Sequence, residues 1–245
     1  MNLAAEEIKA CCAAAYSSPA ARFLLGESFH PGGAALTSRL VRALRVGPGD
    51  VVVDVGCGPG MSALQPARKT GCEVIGVDLA PPAVSDDPRV RFIRGDAEAL
   101  PLDNASVDGA LCECALCTFS DKDAAVGELA RVLRPGARVA LSDLTADPGR
   151  LPSSLASLHA WVACVADARP LEEIAALAEA AGLAVELTER HDGALAALLD
   201  RVEARLELAA MVAFDVAAAR GLLGEVRGAL ESGALGYGVV VARRP

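Results

Sequence analysis

The sequence predicts an α/β protein built on a doubly wound, seven-stranded and mostly parallel sheet with helical additions. Short apolar segments alternate with helical patterns from residue 47 onward, and such alternation is typical of parallel sheets covered by helices on both faces. The segment "VVDVGCGPG" at 52–60 then joins a buried strand to a glycine-rich turn. A length of 245 residues suits one domain of this kind.

The strands and helices follow from these patterns in chain order. Apolar, β-branched runs predict strands over 51–56, 73–79, 90–96, 107–114, 138–144, 183–190 and 237–244. Gly136 predicts a turn into the fifth strand. Helices are expected over 1–46 with a break at 30–33, after the first strand to about Thr70, and over 122–133, 153–165, 171–181 and 193–231. We expect residues 1–46 to form a helical cap, 47–145 a cofactor-binding core, and 146–245 substrate-side lid helices and closing strands of the same domain.

Charge and composition exclude several classes of partner. The chain carries 23 Lys and Arg against 32 Asp and Glu, a net charge of −9, and it lacks a basic run, so we expect no nucleic acid partner. No apolar stretch reaches the roughly 18 to 20 residues of a membrane span, and the first residues do not resemble a signal peptide. A cytoplasmic location is therefore expected, with the eight cysteines as thiols. A monomer and a homodimer both remain open.

Three glycines and two acids form the first candidate site. Gly56, Gly58 and Gly60 allow a tight turn and close approach of a ligand to the backbone. The second strand ends in Asp78, where an acid can accept hydrogen bonds from ribose hydroxyls, and the third ends near Asp96. A dinucleotide site would favour Gly-x-Gly-x-x-Gly. The spacing here and the acidic surroundings favour a cofactor without phosphates.

The motifs "VVDVGCGPG", "VDLA", "GDAEALPL" and "LARVLRPGARVALSDL" resemble those of class I S-adenosylmethionine-dependent methyltransferases. The resemblance covers about residues 47–145 and implies a Rossmann-like fold whose last strand is antiparallel beside the fifth. It also implies that the glycine loop holds the methionine end of S-adenosylmethionine, that Asp78 holds the ribose, and that Asp96 and Ala97 flank the adenine. The expected cofactor-binding residues are Asp54, Gly56, Cys57, Gly58, Gly60, Asp78, Leu79, Asp96, Ala97 and Cys112.

The segment "CECALC" at 112–117 places three thiols after the fourth strand. Ligands bind at the carboxyl edge of open α/β sheets, so we expect this segment at the mouth of the site. Cys112 and Cys114 are two positions apart and should face the same side of a strand. Sulfur ligands favour soft partners.

A narrower resemblance is to arsenite methyltransferases. "LCECALCTFSDK" and "ACVADARPLEEIAALAEAAGL" are similar to the segments that carry the two metalloid-binding cysteines of that family, which fall on Cys114 and Cys164. That family usually has a further cysteine before the glycine loop; here Cys117, or Cys11 or Cys12, could supply a third thiol. The resemblance implies methyl transfer to thiol-bound trivalent arsenic, with Cys114, Cys164 and Cys117 as catalytic, metalloid-binding residues, and a thiol reductant as partner.

Four other interpretations stay open. The cysteines could hold structural zinc or be inert core residues. The chain could instead methylate a carbon or oxygen of a small metabolite such as a quinone precursor, which needs a base near the methyl group; His30 is the best candidate. The other candidates are Glu113, His159 and Tyr16. Finally, the chain could be a non-catalytic protein that binds the cofactor or a metalloid.

Overall fold

The structure is a computed structural model. It describes residues 16, 18–26, 29–156, 165, 167–211 and 216–245. Residues 1–15 of the expected helical segment over 1–46, and residues 157–164 of the expected helix over 153–165, therefore lie outside the described residues; Ser153–Ala156 form a 3-10 helix.

All seven strands join one sheet in the order β3-β2-β1-β4-β5-β7-β6. Strands β1 to β5 pair in parallel, whereas β7 runs antiparallel to both β5 and β6. The predicted fold class and the antiparallel last strand are both confirmed. The strands are β1 (Val51–Val55), β2 (Glu73–Asp78), β3 (Val90–Arg94), β4 (Val107–Glu113), β5 (Leu133–Ala146), β6 (Ala184–Arg190) and β7 (Leu235–Arg243).

Helices cover both faces of the sheet. The helices are α1 (Pro19–Leu25), α2 (Gly33–Leu44), α3 (Leu64–Thr70), α4 (Lys122–Val132), α5 (Leu171–Ala180), α6 (Asp192–Met211) and α7 (Ala217–Glu231). One apolar layer joins the sheet to α2, α3, α6 and α7, and a second joins it to α4 and α5. Neighbouring residues of a strand serve opposite layers, as Val52 and Val53 do, because strand side chains alternate between faces. In the described part of the chain no helix is both long and apolar enough to span a bilayer.

Local sequence sets the ends of several helices. The Ser18 hydroxyl accepts a hydrogen bond from the Ala21 amide at 3.1 Å, directly before Pro19 opens α1. The Asp121 carboxylate caps α4 by accepting from the Ala124 amide at 2.9 Å. Both residues satisfy amides that the first helical turn leaves without a partner.

Two expected boundaries differ from the structure. Strand β5 begins at Leu133, five positions before the expected start, because Leu133 already pairs with Val107 of β4. Gly136 bends this segment with a positive φ of 85° instead of preceding it. The expected helix over 193–231 consists of two described helices, α6 and α7. The domain boundaries after residues 46 and 145 stay predictions.

Candidate active site

A cavity of ≈ 330 Å³ lies at the carboxyl ends of β1, β2 and β4. This is the edge of the sheet where parallel α/β folds bind their ligands. Seven of the ten expected cofactor-binding residues line it: Gly56, Cys57, Gly58, Asp78, Leu79, Asp96 and Ala97.

Asp78 organises the wall of this cavity. Its Oδ2 accepts a hydrogen bond from the Gly58 amide at 2.9 Å, and its Oδ1 accepts one from the Ala80 amide at 2.9 Å. The carboxylate thus fixes the glycine loop against the end of β2. At Gly58, with φ 48°, an added Cβ would meet no atom within 4 Å, so the loop presents open space at this residue.

The other three expected residues lie behind the cavity wall. A Cβ on Gly60 would lie 2.4 Å from the ring of Phe92, so this glycine allows close packing against β3. Cys112 is buried in the layer that holds α4 and α5. Asp54 is only 1% exposed. Burial, with the charges of Glu113 and Asp78, raises the pKa of Asp54 well above its ordinary value.

Two buried carboxylate oxygens lack a hydrogen-bond partner among the described residues, Asp54 Oδ2 and Glu113 Oε1. A buried carboxylate without a partner is unfavourable, and a positive charge nearby stabilises it. S-adenosylmethionine carries a sulfonium and an ammonium group. The acidic surroundings and the open space at Gly58 therefore fit this cofactor.

Glu113, the last residue of β4, joins a buried polar cluster at the cavity. The Thr37 hydroxyl of α2 donates to Glu113 Oε2 at 3.1 Å, and His30 Nδ1 lies 3.6 Å from the same oxygen. Burial raises the pKa of Glu113 to about 7, although hydrogen bonds from Thr37 and Ser62 oppose the rise. A carboxyl group with this pKa exchanges a proton readily near neutral pH.

His30 is buried and lines the same cavity. Its Nδ1 lies 3.1 Å from the Pro31 carbonyl oxygen, and its Nε2 lies 3.2 Å from Thr37 Oγ1 and 3.4 Å from Ser62 Oγ. Burial lowers the pKa of His30, which favours the neutral ring. Both ring nitrogens therefore have protein partners, whereas one oxygen of Glu113 has none among the described residues.

Cys114 lines the cavity beside Glu113. Strand β4 ends one residue earlier, and Cys114 takes a left-handed backbone conformation with φ 53°. As a result Cys114 packs against the layer of α2 and α6, whereas Cys112 lies in the opposite layer. The expectation that these two thiols face the same side is wrong, because the chain leaves the strand geometry between them.

Cys117 lies in a 3-10 turn, Leu116–Thr118, and is buried in the core rather than at the cavity. Its amide donates to Asp143 Oδ2 at 3.0 Å. Within the residues that the structure describes, no group of three or more His, Cys, Asp or Glu side chains could hold a metal ion. Cys11, Cys12, His159 and Cys164 lie outside the described residues.

Three further residues of the site were not predicted from the sequence: Thr37 and Ser62 of the polar cluster, and Arg22 of the cavity wall. Thr37 lies on the buried face of α2, beside Leu36 and Leu40. A polar residue on an otherwise apolar helix face needs a partner when buried, and that pattern was a readable signal.

Comparison with known proteins agrees with this geometry. Residues 53–141 match a family model described as "Methyltransferase domain". The chain is 31% identical to 27-O-demethylrifamycin SV methyltransferase of Amycolatopsis mediterranei over 237 residues. This aligned region covers 86% of this chain and 83% of that protein. The chain belongs to the class I S-adenosylmethionine-dependent methyltransferase family. The expected cofactor, S-adenosylmethionine, is the cofactor of this family.

Other methyltransferases match over shorter ranges. Methyltransferase GfsG of Streptomyces halstedii is 36% identical over 64% of this chain and 61% of its own length. Arsenite methyltransferase of Halobacterium salinarum is 30% identical over 59% of this chain and 40% of its own length. An O-methyltransferase of Pyrenophora dematioidea is 33% identical over 51% of each chain. The chain thus spans about half the length of several curated relatives.

Solved structures share the fold of this methyltransferase. Haemonchus contortus phosphoethanolamine N-methyltransferase 2 in complex with S-adenosyl-L-methionine superposes with a TM-score of 0.74 and 23% identity, over 92% of this chain and 56% of that one. At this identity the likeness concerns the fold alone.

Proposed function

We propose that this protein transfers the methyl group of S-adenosylmethionine to a hydroxyl oxygen of a small molecule, with Glu113 as the general base. The observation that carries the proposal is the buried Glu113 carboxyl group at the cavity, with a pKa near 7 and an unpartnered Oε1 among the described residues. A hydroxyl acceptor must lose its proton during transfer. Glu113 Oε1 is the atom available to receive it.

The position of Glu113 suits this role. It ends β4, so a rigid strand holds its backbone, and Thr37 binds Oε2 and leaves Oε1 to other partners. A general base works best when its pKa lies near the working pH, and a positioned base contributes about 10² to 10⁴ in rate. His30, with both ring nitrogens directed at protein atoms, acts in this proposal by positioning the cluster.

In this proposal the other residues of the cavity bind the cofactor and orient the acceptor. When bound, S-adenosylmethionine supplies an electrophilic methyl group on a positively charged sulfur. The acidic side chains of Asp78 and Glu113 and the aromatic rings of Phe29 and Phe119 line the site. Holding the acceptor oxygen in line with the methyl group removes much of the entropic barrier, about 7 to 11 kcal/mol in favourable cases.

The relatives support an oxygen acceptor. A relative that matches 86% of this chain carries 27-O-demethylrifamycin SV in its name, and several shorter matches are named O-methyltransferases.

Methyl transfer to arsenite is the second candidate, favoured by Cys114 on the cavity wall and by the arsenite methyltransferase relative. It requires that Cys114 and Cys164 grip one atom together, and that a further thiol or a thiol reductant completes the set. Cys117 is buried away from the cavity, which weakens the expected three-thiol arrangement.

The experiment incubates the protein with S-adenosylmethionine and either a panel of phenols and enols or arsenite plus a thiol reductant. S-adenosylhomocysteine release and the mass of the product are measured. We expect a methyl ether from at least one hydroxyl acceptor. Turnover with arsenite plus the reductant, and with none of the hydroxyl acceptors, would overturn the proposal in favour of the second candidate. Cofactor binding without turnover of any acceptor would favour a non-catalytic binding protein.

A further inference from the structure

A second and larger cavity adjoins the first. It has a volume of ≈ 990 Å³ and lies between α1, the start of α2, and α6. Phe29, Pro59, Met61 and Arg22 line both cavities. The two spaces therefore adjoin each other at these four residues.

Arginine dominates the charge of the second cavity. Arg22, Arg201 and Arg205 line it, and no Asp or Glu does so among the residues that the structure describes. The chain as a whole carries a net charge of −9, whereas the charged residues that line this cavity are three arginines. A concentration of one sign of charge in a concave site attracts ligands of the opposite sign.

The arginines of this cavity make no ion pair with a described acidic side chain. Arg205 Nη1 donates to the Leu24 carbonyl oxygen at 2.8 Å, and Arg201 Nη1 donates to the Ala197 carbonyl oxygen at 3.2 Å. Each guanidinium has five N–H donors, and the bonds of Arg201 and Arg205 to described residues use one donor each.

Two acids of the same helix pair with a neighbouring helix. Asp200 and Glu203 of α6 both pair with Arg227 of α7, at 2.9 Å each. Arg201 and Arg205 lie on the side of α6 that faces the cavity. Asp200 and Glu203 thus face α7, whereas Arg201 and Arg205 face the cavity.

We infer that the second cavity binds an oxyanion, a carboxylate or phosphate, at the end of the acceptor remote from the methylated atom. Guanidinium groups bind such anions through paired hydrogen bonds, and Leu25, Phe29 and Met61 offer apolar contacts along the way. The acceptor class is therefore an amphiphilic small molecule with an anionic end. The statement that this molecule is the methyl acceptor rests on the proposed function. The binding of an anion in the second cavity does not depend on that function.

Arg22 also lines the first cavity, where the carboxylate of the cofactor could be its partner. The test therefore uses Arg201 and Arg205. The probes are anilinonaphthalene sulfonate and N-phenylnaphthylamine, two fluorescent dyes with the same aromatic frame, of which only the first carries an anion. The variants are Arg201→Gln and Arg205→Gln, and the control is Arg220→Gln, an exposed arginine of α7 that does not line the cavity.

We expect each cavity variant to weaken binding of the sulfonate about tenfold, which corresponds to about 1.4 kcal/mol, and to leave the neutral dye unchanged. Arg220→Gln should bind both dyes as the unmodified protein does. Displacement of the sulfonate by benzoate or by phenyl phosphate shows which oxyanion is preferred, and either result supports the site.

Equal binding of the sulfonate to both variants and the unmodified protein would overturn the inference, as would an equal loss of both dyes. Arg205 also holds α1 through Leu24, so Arg201→Gln remains decisive if Arg205→Gln unfolds. None of these measurements uses methyl transfer. An inactive enzyme with the expected dye binding would refute the proposed function and leave the anion site intact.

Discussion

The Thr37 hydroxyl donates to Glu113 Oε2 at 3.1 Å, across 76 positions of sequence. This hydrogen bond joins α2 to the end of β4 inside the protein. It fixes the rotation of the carboxylate about its side chain, so that Oε2 faces the helix. The same bond favours the charged form of Glu113, against the burial that raises its pKa. Thr37 therefore tunes the group that we propose as the base.

Replacing Glu113 with Gln should abolish most of the catalysis. The amide keeps the shape of the side chain and cannot accept the acceptor's proton, so we expect kcat to fall about 10² to 10⁴-fold. S-adenosylhomocysteine should still bind within about threefold, measured by calorimetry, because the cofactor loop and Asp78 are unchanged. Glu189→Gln, which alters a carboxylate on β6 that does not line the cavity, is the matched control. An E113Q variant with undiminished kcat would remove Glu113 as the base.

The reaction rate should depend on pH through the same group. With a pKa of about 7, Glu113 is protonated in acid, so kcat/KM should fall about tenfold for each pH unit below 7 and level off above about 8. Thr37→Val removes a hydrogen bond that favours the carboxylate, so it should move this limb of the profile to higher pH. Steady-state rates between pH 5 and 9 check both statements. A flat profile in the unmodified protein would contradict them.

Stability should also change with pH, and the direction follows from linkage. The pKa of Glu113 is raised from 4.5 to about 7 on folding, so the native state binds the proton more tightly than the unfolded state. Its contribution to stability is fully present below pH 4.5 and is lost as pH rises through 7. Relative to E113Q, the free energy of unfolding of the unmodified protein should fall by about 3 kcal/mol at most over this range. Urea unfolding of both proteins at pH 5 and pH 8 measures the difference; a constant difference would mean that Glu113 keeps its ordinary pKa.

The sequence predicts the sheet well because each strand leaves a local pattern. Seven apolar runs give all seven strands, and the chain order of a parallel sheet brings the ends of β1, β2 and β4 to one edge. The acids and glycines at these ends therefore fall at the cavity, as Gly58 and Asp78 do. Only β5 begins far from its expected position, since its early pairing with β4 is a tertiary contact.

Such patterns do not predict toward which face of the sheet each cysteine points. They also do not predict which residues meet in the polar cluster. A single residue with φ 53° reverses the expected facing of Cys114, and period-two alternation carries no information about where a strand ends. The contact between Thr37 and Glu113, and the bond from Arg205 to Leu24 across 181 positions, depend on how α1, α2 and α6 pack. The local sequence marks Thr37 as a polar residue on an apolar helix face, but it does not identify the residue that Thr37 contacts.

The open space at Gly58 leads to a further prediction. Gly58→Ala and Gly136→Ala both place an alanine at positive φ, with no protein atom within 4 Å of the new methyl group. Both should lose about 1 to 2 kcal/mol of stability for the left-handed backbone. Only Gly58→Ala should weaken S-adenosylhomocysteine, by about tenfold or more, because its methyl group would enter the cofactor space. Equal affinity in the two variants would place the cofactor away from this loop.

Cys114 separates the two candidate acceptors. Serine keeps nearly the size of cysteine and loses the soft sulfur ligand, so Cys114→Ser should keep most hydroxyl methylation and abolish any transfer to arsenite. Cys164→Ser should behave in the same way if the arsenite reaction exists. Cys117→Ser is the matched comparison from the same segment, and because Cys117 is buried away from the cavity, it should leave both reactions intact in the folded fraction. Product mass and S-adenosylhomocysteine release check all three variants. Loss of hydroxyl methylation in Cys114→Ser with normal cofactor binding would mean that the thiol itself positions the oxygen acceptor.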